Sequence, residues 1–256
     1  MKHPGSEIST PPQELIDVVG GGIEIGSGHL VQLQQAAALR PDEHVLDIGC
    51  GIGRTAIPLT SYLSEDGAYE GFDIRPEAIE WCQREVTSRY PNFRFTHVDV
   101  FNAAYNPSGA LRASEFSFPY RAEQFDLVFL YSVFTHLLPE DLEHYLSEIG
   151  RVLKEGGRVL ATFFLLNDDS LSRLASAAEA LAPDGDSVAR SLLERDFGCY
   201  SAGHELAEWM VGYKEEFVRN MYRKRCFRIK EPIAYGTWLD SETLPEGIQD
   251  LILAYR

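Results

Sequence analysis

Hydrophobic positions along this chain fall into short runs separated by amphipathic stretches. The runs at 45–48, 68–72, 93–98, 125–131 and 158–166 have the length of strands. The run at 125–131 is nearly all apolar, as a strand buried on both faces should be. Between the runs, apolar spacing predicts helices over about 54–63, from Pro76 to about 89, and from Pro139 to Leu153. Pro76 sits in the favoured first turn, and Gly156-Gly157 offers a cap after the third helix. Upstream, 14–19 and 30–39 are helix-like. Gly20-Gly21-Gly22 and Gly26-Ser27-Gly28 follow no strand, so they read as a flexible lead-in rather than a phosphate loop. Runs at 226–233 and 250–255 are close enough to pair as an antiparallel edge.

Strands alternating with helices predict an α/β fold: a doubly wound, mainly parallel sheet of seven strands with an antiparallel edge strand. The expected organisation is a lid segment over 1–40, a ligand-binding core over 41–166 and 226–256, and an inserted cap over 167–225 that covers the substrate site. The connection at 102–124 and the cap are longer than ordinary loops, and both leave the carboxyl end of a strand, where ligands of such sheets sit.

Composition narrows the function. The net charge is −16 over 256 residues, a field that repels a phosphate backbone, so no nucleic-acid partner is expected. The basic group Arg219, Arg223, Lys224, Arg225, Arg228 and Lys230 is interleaved with Glu215, Glu216 and Glu231 and reads as a solvated helix face. No apolar run is long enough to span a membrane, and residues 1–7 carry no apolar signal core. Cys50, Cys82, Cys199 and Cys226 lack the spacing of a metal knuckle or redox pair, so free thiols in a reducing cytoplasm are expected. The spacing gives no oligomeric state beyond monomer or dimer.

The densest chemistry lies in Val45-Leu46-Asp47-Ile48-Gly49-Cys50-Gly51-Ile52-Gly53. It is a strand, a glycine turn and a helix start. A dinucleotide turn places its third glycine one residue later, where this chain has Arg54. Asp47 stands two residues before the first glycine, where a carboxylate repels phosphate and suits an ammonium group. Asp73 ends the second strand and Asp99 the third. Asp73 either accepts ribose hydroxyls or caps the helix opened by Arg75-Pro76. Asp99 can accept from an adenine amino group while Val100 or Ile74 covers the ring.

The Asp-x-Gly-x-Gly-x-Gly pattern with acids at the next two strand ends resembles the class I S-adenosylmethionine-dependent methyltransferases, whose fold is Rossmann-like. The resemblance covers about 40–166 and the closing strands. It implies that Asp47, Gly49, Cys50, Gly51 and Gly53 form the turn under the methionine and ribose, and that Asp73 and Ile74 hold the ribose side. It also implies that Asp99 and Val100 hold adenine, and that Leu130, Tyr131 and Ser132 line the methionine end. S-adenosylmethionine is then the cofactor and S-adenosylhomocysteine the product.

Methyl transfer from a sulfonium needs alignment more than acid–base groups. An oxygen acceptor must still lose a proton, and His136, after the fourth strand, suits that task near neutral pH. The alternative is that His136 caps the following helix. Tyr131, Asp168 and His204 are lesser candidates for the base. Asp168 and Asp169 have no acid partner after 131 and read as a helix start with Ser170, so no metal is expected. Aromatic residues at 102–124 and 200–222, among them Tyr105, Phe116, Tyr200 and Trp209, favour a partly apolar small-molecule acceptor or a sugar face. The expected function is O-methylation of a small molecule. N- or C-methylation, a nicotinamide-dependent oxidoreductase and a non-catalytic binding protein stand as alternatives.

Overall fold

The structure is a computed structural model and describes residues 8–18, 22–180, 193–195, 199–202, 208, 210–238 and 248–256. Its main sheet is built from β1 (His44–Ile48), β2 (Ala68–Asp73), β3 (Phe93–His97), β4 (Phe125–Leu130) and β5 (Leu153–Phe163), closed by β10 (Arg228–Ile229) and β11 (Asp250–Tyr255). The seven strands run in the order β10-β11-β5-β4-β1-β2-β3. The pairs among β1 to β5 are parallel. β11 lies antiparallel to β5, with β10 antiparallel outside it. Strand order reverses between β1 and β4, which opens a crevice above their carboxyl ends.

Alternation along β4 explains its apolar run. Val128 and Leu130 enter one core cluster with Leu142, Leu146 and Ile149 of α5 (Pro139–Val152). Leu127 and Phe129 enter the other, with Ile79 and Trp81 of α4 (Pro76–Cys82) and Leu33 of α2 (Ile25–Gln35). Each face of the strand therefore meets a different helical layer. α1 (Gln13–Val18) precedes α2, and α3 (Ala56–Leu59) follows β1.

A second sheet of four strands, ordered β6-β9-β8-β7, is made from β6 (Leu165–Leu166), β7 (Leu193–Arg195), β8 (Cys199–Ala202) and β9 (Met210–Lys214). α6 (Asp168–Ala180) falls between β6 and β7 in sequence, and α7 (Glu215–Lys224) follows β9. Tyr213 of β9 is buried and its hydroxyl donates to the Leu137 carbonyl, which fastens this sheet to the loop after β4.

Several elements differ from the sequence expectation. α2 begins at Ile25, so Gly26-Ser27-Gly28 is helix and not a flexible lead-in. The reason is tertiary: a Cβ on Gly26 would lie 1.7 Å from the Arg54 carbonyl oxygen, so glycine lets the helix rest on the backbone of the glycine-turn segment. α3 is a single turn rather than the helix expected over 54–63. α5 passes directly into β5 at Leu153, and Gly156, at φ +73°, turns within the strand instead of capping the helix. The run at 226–233 supplies only Arg228–Ile229 as strand, because Cys226 takes φ +60° and Pro232 interrupts the ladder. By contrast, a helix does start at Asp168 as expected, and Asn167 caps it, its side-chain oxygen accepting from the Ser170 N–H at 3.0 Å.

Candidate active site

A cavity of about 920 Å³ opens above the carboxyl ends of β1, β2, β4 and β5. Its floor is the glycine turn, where Gly49, Gly51 and Gly53 take φ of +73°, +51° and +68°. Four of the turn's N–H donors are already used. The N–H groups of Gly49 and Cys50 donate to the Phe72 carbonyl at 2.9 and 3.1 Å, and that of Gly53 to the Cys50 carbonyl at 2.9 Å. The Gly51 N–H donates to Asp73 Oδ2 at 2.7 Å. A phosphate needs such donors pointed at it. This turn offers room for close approach instead, which fits a ligand other than a pyrophosphate.

Asp47 is buried beneath the turn, where the Tyr69 hydroxyl donates to Oδ2 at 2.8 Å. Burial pushes its carboxyl up to about 8; the Tyr69 bond and Arg54 pull it down, and Asp73 pushes it further up. Asp73 is raised as well, chiefly by burial, against the lowering effect of its backbone bonds. Its Oδ1 accepts from the Arg75 N–H at 3.0 Å, so it organises the turn into α4 while also lining the cavity. The two readings of Asp73 are compatible, since a carboxylate has lone pairs beyond those two bonds. Two buried acids at one cavity wall call for a ligand bearing positive charge and hydroxyl donors. S-adenosylmethionine has both.

Ile74, Val100, Tyr131, Ser132, Cys50 and His136 also line the cavity. Three of the expected residues do not. Gly53 sits beneath the turn against Cys82, Leu130 is fully buried in the core, and Asp99 is exposed. The Asp99 carboxylate faces Asn106 at 3.5 Å while its neighbours Val100, Phe101 and Asn102 face the cavity. Cys50 is buried and its thiol is pushed up by burial. Asp168 is exposed on α6, and His204 and Trp209 lie outside the described residues. Of the aromatic residues at 102–124, Phe116 and Phe118 are core, and Tyr105 reaches the cavity.

His136 ends a single 3-10 turn after β4. Its Nδ1 lies 3.0 Å from the Glu208 carbonyl oxygen. A carbonyl only accepts, so the proton is assigned to Nδ1 and the lone pair to Nε2. Nε2 lies 3.4 Å from the Tyr105 hydroxyl, and the two rings meet edge-on at 5.0 Å. Glu208 also accepts from the Ala103 N–H at 2.7 Å, which ties the segment after β3 to the same histidine. Ser132 holds φ +58°, with its N–H on Thr162 Oγ1 at 2.8 Å and its hydroxyl donating to Gln249 Oε1 at 3.2 Å.

The expected lid over 1–40 had no residue of its own assigned to the cavity. His29 of α2 stacks on Tyr131 and its Nδ1 lies 2.8 Å from Thr55 Oγ1. Burial, and then Arg54, hold its imidazole down to about 4, so it is neutral. Glu24, Ile25, Gly28 and Gln32 line the cavity from the same helix. One of these contacts had a local trace, the glycines of α2, but nothing in the sequence says what they rest on.

Residues 45–157 match the family described as a methyltransferase domain. Over these residues the chain is similar to methyltransferase domains, and a solved S-adenosylmethionine-dependent methyltransferase from Methanosarcina mazei shares its fold. Among curated relatives, an aklanonic acid methyltransferase of Streptomyces is 36% identical over 47% of this chain and 47% of its own length. A tRNA N(3)-cytidine methyltransferase of Gallus gallus is 29% identical over 45% of this chain and 29% of its own length. The chain thus spans less than half the length of these curated relatives. The crystal structure of magnesium protoporphyrin IX methyltransferase from Synechocystis with bound S-adenosylhomocysteine shares the fold at a TM-score of 0.55 and 17% identity, over 98% of this chain and 90% of that one. A methyltransferase from Aquifex aeolicus does so at 0.55 and 14%, over 96% and 98%. The matched residues span β1 to β4, the turn and α5. No helix among the described residues is long and apolar enough to cross a membrane.

Proposed function

We propose that this chain transfers a methyl group to an oxygen of a small-molecule acceptor, with His136 as the general base. S-adenosylmethionine supplies a methyl carbon already activated by its positive sulfur. Asp47 would hold the ammonium group, Asp73 the ribose hydroxyls, and Ile74 and Val100 the faces of the adenine. Tyr131 and Ser132 would flank the methionine portion.

The observation that carries the reading is the placement of His136: its Nδ1–H donates to the Glu208 carbonyl at 3.0 Å, which leaves Nε2, 3.4 Å from the Tyr105 hydroxyl, as the acceptor of a ring that lines the cavity. A hydroxyl acceptor loses its proton to Nε2 as its oxygen attacks. A neutral amine attacks through a lone pair it already has and needs no such base at the attacking step. The aklanonic acid and magnesium protoporphyrin relatives are named for small molecules, which supports this acceptor class. The net charge of −16 opposes a polyanionic acceptor.

The test is mass spectrometry of methylated products after incubation with S-adenosylmethionine and paired hydroxyl and amine acceptors. Transfer to oxygen, lowered about 10²-fold or more by His136→Ala at unchanged S-adenosylhomocysteine affinity, supports the reading. Transfer only to nitrogen or carbon, or an unaffected His136→Ala rate, rejects it.

A further inference from the structure

His136 is tied to the segment after β3 by Asn102 and Glu208. Asn102 is buried and bonds in both directions. Its Nδ2 donates to the His136 carbonyl at 3.0 Å. Its Oδ1 accepts from the N–H groups of Ala104 and Tyr105 at 3.1 and 3.0 Å. The turn that carries Tyr105 is closed by Asn102 and Asn106, which exchange backbone bonds at 3.1 and 2.9 Å. Glu208 accepts from the Ala103 N–H through its carboxylate and from His136 Nδ1 through its carbonyl. One buried amide thus sets the spacing between the backbone of His136 and that of Tyr105.

That spacing brings the Tyr105 hydroxyl to 3.4 Å from His136 Nε2. Both side chains line the cavity. With Nδ1 protonated, Nε2 has a single lone pair, and the Tyr105 hydroxyl is placed to donate to it. A phenol oxygen accepts one bond while it donates another, so an acceptor hydroxyl can donate to Tyr105 Oη while Tyr105 donates to Nε2. At 3.4 Å the contact is long, and such bonds tighten when the reacting group arrives. The guanidinium carbon of Arg75 stands 5.3 Å from the centre of the Tyr105 ring. Burial raises the Tyr105 hydroxyl above its ordinary value, and Arg75 opposes that. A cation over the ring favours negative charge on the phenol oxygen as a proton passes.

We infer that Tyr105 carries the acceptor's proton to His136, and that Asn102 is the residue that positions it. The inference rests on the methyl-transfer reading with His136 as base and names two further residues for that reaction. As the acceptor oxygen bonds the methyl carbon, the carbon–sulfur electron pair stays on sulfur. The acceptor O–H bond breaks and its proton bonds to Tyr105 Oη. The proton that Tyr105 held moves to Nε2, and the resulting imidazolium later releases it to solvent. Tyr105 ends the step as it began.

The test uses the full chain labelled with nitrogen-15 histidine and saturated with S-adenosylhomocysteine, at mildly alkaline pH, where an ordinary imidazole is neutral. Wild type, Tyr105→Phe and Asn102→Ala are compared by NMR, with the ring signals assigned through His136→Gln. Tyr105→Phe keeps the ring and its packing. It is expected to move the Nε2 signal toward that of an unbonded nitrogen and to leave Nδ1 in place. Asn102→Ala, in a variant whose melt shows it folded, should move Nε2 the same way. An Nε2 signal unchanged in Tyr105→Phe overturns the inference, and that comparison decides without an acceptor. Transfer is then measured with 1-naphthol and 7-hydroxycoumarin as hydroxyl acceptors. In Tyr105→Phe, kcat is expected to fall about tenfold to a hundredfold at unchanged S-adenosylhomocysteine affinity. A loss in His136→Ala beside an unaffected Tyr105→Phe overturns this inference and leaves the base reading standing. An unaffected His136→Ala rejects the base reading, and the relay with it.

Discussion

His29 lies flat against Tyr131, with ring centroids 3.7 Å apart and planes 3° from parallel. One ring belongs to the helix before the sheet and the other to the loop after β4, so the stack closes the cavity from above. His29→Ala is expected to weaken S-adenosylhomocysteine binding and to speed amide exchange in α2. The Tyr131 hydroxyl is buried with no hydrogen-bond partner among the described residues. Tyr131→Phe keeps the stack and removes that unpaired group, so thermal stability should stay level or rise by up to ~1 kcal/mol. Tyr131→Ala should behave like His29→Ala. Thermal melts and hydrogen exchange check both.

The same histidine makes helix docking depend on pH. Its docked form is held near 4 against an ordinary value of 6.5, so docking excludes the proton. Above pH 6.5 both states are neutral and docking is unaffected. Between 6.5 and 4 the undocked histidine takes a proton that the docked one refuses, and docking weakens as pH falls. Arg54 faces the ring and adds to the effect. Protection of α2 amides should decline across that window in the wild type and lose this component in His29→Leu.

Two glycines of α2 provide an internal contrast. A Cβ on Gly26 meets the Arg54 carbonyl oxygen at 1.7 Å, whereas one on Gly28 meets nothing within 4 Å. Gly26→Ala should lift the helix off its seat at a cost of about 1–3 kcal/mol. Gly28→Ala should stabilise by up to ~1 kcal/mol through helix propensity. Chemical denaturation of both variants reads the difference.

This contrast shows where the sequence stops. The glycine turn, Asp47 and Asp73 were legible because strand, turn and acid are adjacent in the chain and their chemistry is local. Gly26 and His29 were not, since their roles come from residues 28 and 102 positions away, at Arg54 and Tyr131. Asp99 shows the converse limit: its position at a strand end was readable, but the direction of its side chain was set by Asn106 and by Leu111, whose N–H donates to the Asp99 carbonyl at 3.1 Å.

Below the sheet, Arg158 of β5 and Glu43 form a buried ion pair at 2.6 Å, and the guanidinium also donates to the Ala37 and Ala38 carbonyls after α2. Removing Arg158 leaves the buried Glu43 carboxylate with the exposed Arg40, at 3.1 Å, as its remaining ion partner. Arg158→Leu is expected to cost ~3 kcal/mol in denaturant unfolding, more than an exposed arginine outside this cluster such as Arg94.

Asp47 links cofactor binding to protons. Burial holds its carboxyl near 8, so it is mainly protonated at pH 7. A cation placed beside it lowers that value, and a proton leaves. Calorimetry of S-adenosylhomocysteine binding, which carries the ammonium group, in buffers of different ionisation enthalpy should show proton release at pH 7 that disappears in Asp47→Asn.

The central claim, that the acids at the ends of β1 and β2 hold S-adenosylmethionine, is tested most directly by titrating S-adenosylhomocysteine into the wild type and Asp73→Ala. Each hydrogen bond from a ribose hydroxyl to a carboxylate is worth about 1.5–3 kcal/mol, so affinity should fall at least about tenfold in a variant whose melt shows it folded. Unchanged affinity in a folded Asp73→Ala would place the cofactor elsewhere and contradict the account.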